Sequence, residues 1–117
     1  MNPRPFALAL ALALSSAGAA LAADPALVAR GQAAFQKICA PCHGPINEHI
    51  AIPGTSALQA KYKGAKPAML EQRTDLTPEV IKYFVRNGVT VMTRFRKTEL
   101  DDADLDAVAA YLTRNNR

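Results

Sequence analysis

Residues 39–43 read Cys39-Ala40-Pro41-Cys42-His43, and the reading of the whole chain turns on them. A Cys-x-x-Cys pair alone fits a redox dithiol, half of a zinc site or a haem attachment point. The histidine in the fifth place separates these. In Cys-x-x-Cys-His both sulfurs add to haem vinyl groups as thioethers, and the imidazole is held under the ring where it can bind iron. A zinc site needs two further Cys or His ligands at suitable spacing, and only His49 is left. A thioredoxin-like dithiol needs strands alternating with helices around the motif, and the sequence offers no such strands. A plain disulfide is the remaining alternative for two cysteines in an exported chain.

Export is itself read from the first 22 residues. Asn2-Pro3-Arg4-Pro5 gives a short positive start, Phe6 to Leu14 is an unbroken apolar run, and Ala20-Leu21-Ala22 fits a small-x-small cleavage site. This predicts a signal peptide over 1–22 and one domain over 23–117, located in the periplasm. The apolar run is too short to span about 30 Å of hydrocarbon, so no membrane span is expected after cleavage. Export agrees with haem c, because attachment takes place after export in bacteria.

The chain has 117 residues and a formal charge of +4, and it is 50% apolar and 21% charged. That length allows one core and excludes a TIM barrel or a two-domain dehydrogenase. Losing Arg4 with the leader lowers Lys plus Arg from 14 to 13 against 10 acids, a formal +3. No basic run carries interleaved aromatics, so nucleic acid is not an expected partner.

Outward from the motif the period is helical. Asp24 and Pro25 form an N-cap and first helical residue, and Leu27, Val28, Ala34, Phe35 and Ile38 make one apolar face. The expected helix runs from Pro25 to Cys39, with Gly31 inside it at a cost of about 1 kcal/mol. Such a glycine suits a place where another helix crosses closely. Pro41 to Thr55 reads as loop. Short helical turns are predicted over Ala57–Tyr62 and Pro67–Arg73. Thr77-Pro78 opens a better helix, with Val80, Ile81, Phe84 and Val85 as its buried face and Asn87-Gly88 as its stop. Val89 to Thr98 connects to a last helix from Asp101 or Asp102, striped by Leu105, Val108, Ala109 and Leu112. The predicted fold is all-α, with three main helices.

A second axial ligand to haem iron is sought among Met69, Met92 and His49. A methionine within a helical pattern is more often core filler, and Met69 lies in one. Met92 lies in a connecting loop with ample chain between it and His43 to reach the other ring face. A thioether opposite the histidine raises the reduction potential. The outer nitrogen of His43 also needs a partner, for which the Pro53 carbonyl is the candidate. An open sixth position would make the chain a haem enzyme or gas sensor instead.

These residues resemble a class I cytochrome c over essentially all of 23–117. The likeness rests on Gly31, Phe35, Cys39 to His43, Pro53, Met92 and Val108-Ala109-Ala110-Tyr111-Leu112. The resemblance implies one covalent haem c and a crossing of the first and last helices near Gly31, Phe35 and Tyr111. Val80 to Gly88, then Met92 and Phe95, then Asp102 through Leu112 further resemble the small cytochrome subunit of p-cresol methylhydroxylase and of related 4-alkylphenol and eugenol hydroxylases. That likeness implies an FAD-containing oxidoreductase subunit as electron donor. The acceptor downstream is another cytochrome or a copper protein. A freely diffusing carrier serving another dehydrogenase or a terminal oxidase is the alternative. Thr93 follows Met92 where that family usually has proline. Two basic groups, Lys61, Lys63 and Lys66 and then Arg94, Arg96 and Lys97, are candidates to steer an acidic partner.

Overall fold

A computed structural model describes residues 23–46 and 53–116. The signal peptide expected over 1–22 and the alternative ligand His49 lie outside the described residues. The Asp24 carboxylate accepts from the Ala26 amide at 2.9 Å and starts α1 (Pro25–Ala34). The helix does not end at Cys39 as expected. It widens into a π-turn over Phe35–Cys39 and continues as α2 (Ala40–His43). Pro41 accounts for the widening. Its ring crowds the carbonyl four residues back and it has no N–H to give, and a helix absorbs both by inserting a residue. The Ala40 amide accordingly donates to the carbonyl of Phe35, five residues earlier.

The predicted loop is interrupted a second time by α3 (Pro53–Tyr62), which begins ahead of the expected Ala57. Proline suits a first helical position, where its missing N–H costs nothing. Thr55 is 1% exposed, and its hydroxyl donates to the Gly44 carbonyl at 2.7 Å, tying α3 to the end of α2. Only Leu70–Gln72 of the predicted second turn is helical, as a single 3₁₀ turn. Thr77 caps α4 (Pro78–Asn87) by accepting from the Val80 amide at 3.3 Å. Gly88 closes it at φ 74°. Asp101 caps α5 (Asp102–Thr113) at 2.7 Å from the Asp104 amide. The described residues are all-α, with four helices of ten residues or more where the sequence predicts three. None of the described helices is long and apolar enough to cross a membrane.

α1 crosses α5 at Gly31, whose α-carbon lies against the Ala107 carbonyl and Tyr111. Phe35 is fully buried there, with its ring centroid 5.7 Å from that of Tyr111. Ile81 and Val85 of α4 complete this core together with Leu76, Leu100, Leu105, Val108 and Leu112. Val80 and Phe84, expected inside, are instead 42% and 40% exposed. They border an open cleft that Ile81 and Val85 also line, so the apolar face of α4 is shared between the core and the cleft.

Candidate functional site

The cleft lies between the α1–α2 helix, α3, α4 and the segment after α4. It has two lobes of about 210 and 200 Å³. Cys39, His43, Leu58, Val85, Val89 and Met92 line both, so they form the wall between them. Together the lobes reach the roughly 300–1,000 Å³ of ordinary cofactor sites. Val80, Phe84, Val89 and Val91 are the largest apolar side chains exposed here, and all four face this cleft. Open apolar surface of this kind marks a place for an apolar ligand.

Continuation of the helix through His43 decides where the motif points. Residues three and four apart share a helix face, so Cys39, Cys42 and His43 are presented to one side. All three line the first lobe. The two cysteines are unbonded to each other, Cys39 half-buried and Cys42 exposed. Burial, and secondarily the neighbouring Cys42, pushes the Cys39 thiol up to about 11. A catalytic dithiol attacks through a thiol lowered toward neutrality, which Cys39 is not.

Burial also pushes the His43 imidazole below its ordinary value, which favours the neutral form that binds metal. Its Nδ1 is buried and has no hydrogen-bond partner. Pro53, expected to accept from it, lines the cleft but makes no such bond, because as the first residue of α3 its carbonyl follows the helix axis. The closest approach comes from Gly54. A Cβ there would stand 2.8 Å from His43 Cε1, 2.9 Å from Nδ1 and 2.5 Å from the Cys42 carbonyl oxygen. Only a glycine leaves the ring this room. The sequence reading points to Pro53 beside the imidazole and misses its neighbour Gly54, which reads only as part of a loop.

Met92 reaches the cleft from a tight turn. The Val89 amide donates to the Met92 carbonyl at 3.0 Å, and the Met92 amide returns the bond at 2.9 Å. Met69 lines neither lobe. The cleft thus brings together Cys39, Cys42, His43 and Met92 and leaves Met69 aside. Two thiols, an imidazole and a thioether in an otherwise apolar slot suit a haem, whose faces are apolar and whose iron takes nitrogen and sulfur ligands.

Sequence reasoning missed Arg73, which is 6% exposed and lines the second lobe with Lys61 and Tyr62. It grips Asp75 at 2.5 and 2.8 Å and stacks 4.9 Å from the Tyr62 ring centroid. The Arg73 guanidinium, then Lys66, holds the Asp75 carboxyl well below the usual carboxylate range. The basic groups are partly neutralised at home: Lys66 pairs with Asp75 at 2.6 Å, Arg96 with Glu99 at 3.3 Å and Lys97 with Asp102 at 2.6 Å.

An all-helical wrap around a slot carrying this donor set defines a c-type cytochrome domain. The chain belongs to the family described as cytochrome c oxidase, cbb3-type, subunit III, whose model matches residues 26–112. It is a haem-based electron carrier of the class I c-type kind. No curated protein matches the chain.

Proposed function

We propose that this protein is a periplasmic one-electron carrier holding a single haem c, joined to Cys39 and Cys42 by thioethers and ligated by His43 and Met92. The observation that carries the reading is the convergence of those four side chains on one apolar cleft. When bound, haem supplies a one-electron couple. The chain's own residues do the rest. His43 offers a neutral imidazole, kept so by burial. Met92 offers a thioether, which as the opposite ligand favours a higher potential. Val80, Phe84, Val85, Val89 and Leu58 exclude water from the slot. With His43 and Met92 both holding the iron, substrate would find no open place at the metal, so the role would be transfer rather than bond-making.

The donor in this reading is an FAD-containing subunit of the 4-alkylphenol hydroxylase type, and the acceptor another cytochrome or a copper protein. Support comes from the sequence likeness over Val80 to Gly88 and onward to Met92. Those residues form α4 and the turn beside the cleft, where Tyr83 is 61% and Val91 81% exposed. A second reading, a freely diffusing carrier serving a terminal oxidase, draws on the family description, which names an oxidase subunit.

Intact-mass measurement on protein matured in a competent periplasm tests the first proposal. The expected result is the residue 23–117 polypeptide plus one haem; bare polypeptide overturns it. Copurification separates the two readings. A yellow FAD subunit eluting with the native protein supports the flavocytochrome, and a lone monomer supports the shuttle.

A further inference from the structure

The segment that carries Met92 has little regular structure to hold it. Besides a small turn at Arg96–Leu100, its backbone between Gly88 and α5 makes one at Val89–Met92, in which Thr90 takes φ 51°. Gly88 is pressed against that turn, since a Cβ there would stand 2.6 Å from the Met92 carbonyl oxygen. Beyond Met92 comes Thr93, which leaves the backbone free to rotate where a cyclic residue would not. The restraint comes from α4. The Phe95 amide donates to the Val85 carbonyl at 2.8 Å. From the next residue of the helix, the Arg86 side chain, 23% exposed, donates through Nη1 to the Phe95 carbonyl at 3.0 Å and to the Leu100 carbonyl at 2.9 Å. Its Nη2 reaches the Asp102 carboxylate at 2.8 Å. Phe95 and Leu100 both line the same lobe as Met92.

We infer that Arg86 is a positioning residue for Met92: its guanidinium fork staples both ends of the 95–100 segment to α4 and so holds the thioether over the cleft. The argument rests on the proposal that Met92 is an axial ligand. Three acceptors are gathered by one planar, always charged group. Lysine presents a single point charge and can serve one of them at a time. Cutting the staple leaves the Phe95 amide bond to Val85 to tie the segment to α4 and loosens the chain from Phe95 to Leu100, while the core residues Ile81 and Val85 of the same helix stay in place.

The test uses the haem-loaded protein with Arg86→Lys and, separately, Asp102→Asn. The readouts are the far-red charge-transfer band of ferric methionine ligation, carbon monoxide binding to the ferrous form, and the reduction potential, each per folded haem-containing molecule. Arg86→Lys is expected to lose most of the band, lower the potential and bind carbon monoxide about tenfold faster, a factor worth about 1.4 kcal/mol. Asp102→Asn, which strips the charge from one of three bonds, is expected to keep the band and bind carbon monoxide about threefold faster, well under the effect of a full decade. A merely structural arginine would lower the melting temperature and leave band and potential untouched. Wild-type band and binding in Arg86→Lys overturn the inference. If that variant is not recovered, unchanged carbon monoxide binding in Asp102→Asn does so. A wild-type protein lacking the band instead sinks the Met92 assignment.

Discussion

Replacing Gly31 by alanine tests the crossing on which the fold stands. The added Cβ would overlap the carbonyl of Ala107 and lie 2.9 Å from Tyr111 Cβ, against an optimum near 3.5–4.0 Å for carbon pairs. The obstruction is backbone, so no rotamer change relieves it; α1 and α5 must part by roughly 1 Å. A gap of 0.5–1 Å forfeits a quarter to a half of each contact across it. Phe35 and Val108, both essentially unexposed, are the side chains that straddle it. Overpacking of this kind costs about 3 kcal/mol at the upper end of its usual range. Alanine returns about 1 kcal/mol of helix propensity. The net loss is therefore about 2 kcal/mol, a fall of roughly 8–16 °C in melting temperature for a domain of this size.

The assay is thermal unfolding of the purified protein followed by far-UV circular dichroism. Ala33→Gly, at an exposed site in the same helix, measures the propensity part alone and is expected to cost about 1 kcal/mol. Truncation of Tyr111 should not rescue Gly31→Ala, because the Ala107 carbonyl remains. An unchanged or raised melting temperature for Gly31→Ala would refute the close approach.

Two further perturbations probe the site. Gly54→Ala places a Cβ against the His43 ring and the Cys42 carbonyl and should cost about 1–3 kcal/mol; the expected outcome is a lower haem content per chain and a shifted reduction potential, read by haem assay and voltammetry, and wild-type values for both would show the ring has slack. Asp75 has a lowered carboxyl in the folded state, so its pairing stabilises above the ordinary carboxylate value and is lost as pH falls below it. Asp75→Asn should therefore cost about 1 kcal/mol at neutral pH, discounted because the carboxylate is 40% exposed. The gap between variant and wild type should begin to narrow as pH falls past the ordinary carboxylate value, as urea titrations from pH 7 to pH 3 would record; a gap that stays constant with pH counts against the Arg73 pairing.

The parts of the molecule written in local chemistry were legible. Thr77-Pro78 and Asn87-Gly88 bound α4 because capping is a property of a few adjacent residues. The stripe of Leu105, Val108, Ala109 and Leu112 is buried because its period matches the helix. Gly31 was readable as a crossing point for the same reason, its cost in a helix demanding a compensation. Pro41 misled. Proline usually ends a helix, and the π-turn that lets this one continue depends on a register shift begun at Phe35, before the proline is reached. The start of α3 was hidden because Gly54-Thr55-Ser56 has weak propensity, and what holds it is the Thr55 bond to Gly44, eleven residues away. Arg73 and Arg86 look in the sequence like two surface cations among fourteen basic residues. Their acceptors, Asp75 apart, are backbone carbonyls and a carboxylate that only the fold brings near.

Val80 and Phe84 show why a helical stripe is an incomplete guide to a core. Their spacing from Ile81 and Val85 is that of one apolar face, yet the face is split between neighbours. A chain of this size has little core to spare, and leaving those side chains open costs stability that an apolar occupant of the cleft restores. A ligand bound only by the folded state stabilises it by mass action, and a covalent one cannot dissociate. The same residues therefore serve folding and function together. Haem-loaded protein should melt well above protein whose Cys39 and Cys42 have been changed to serine, and equal melting temperatures would mean that the cleft wall holds its shape without help.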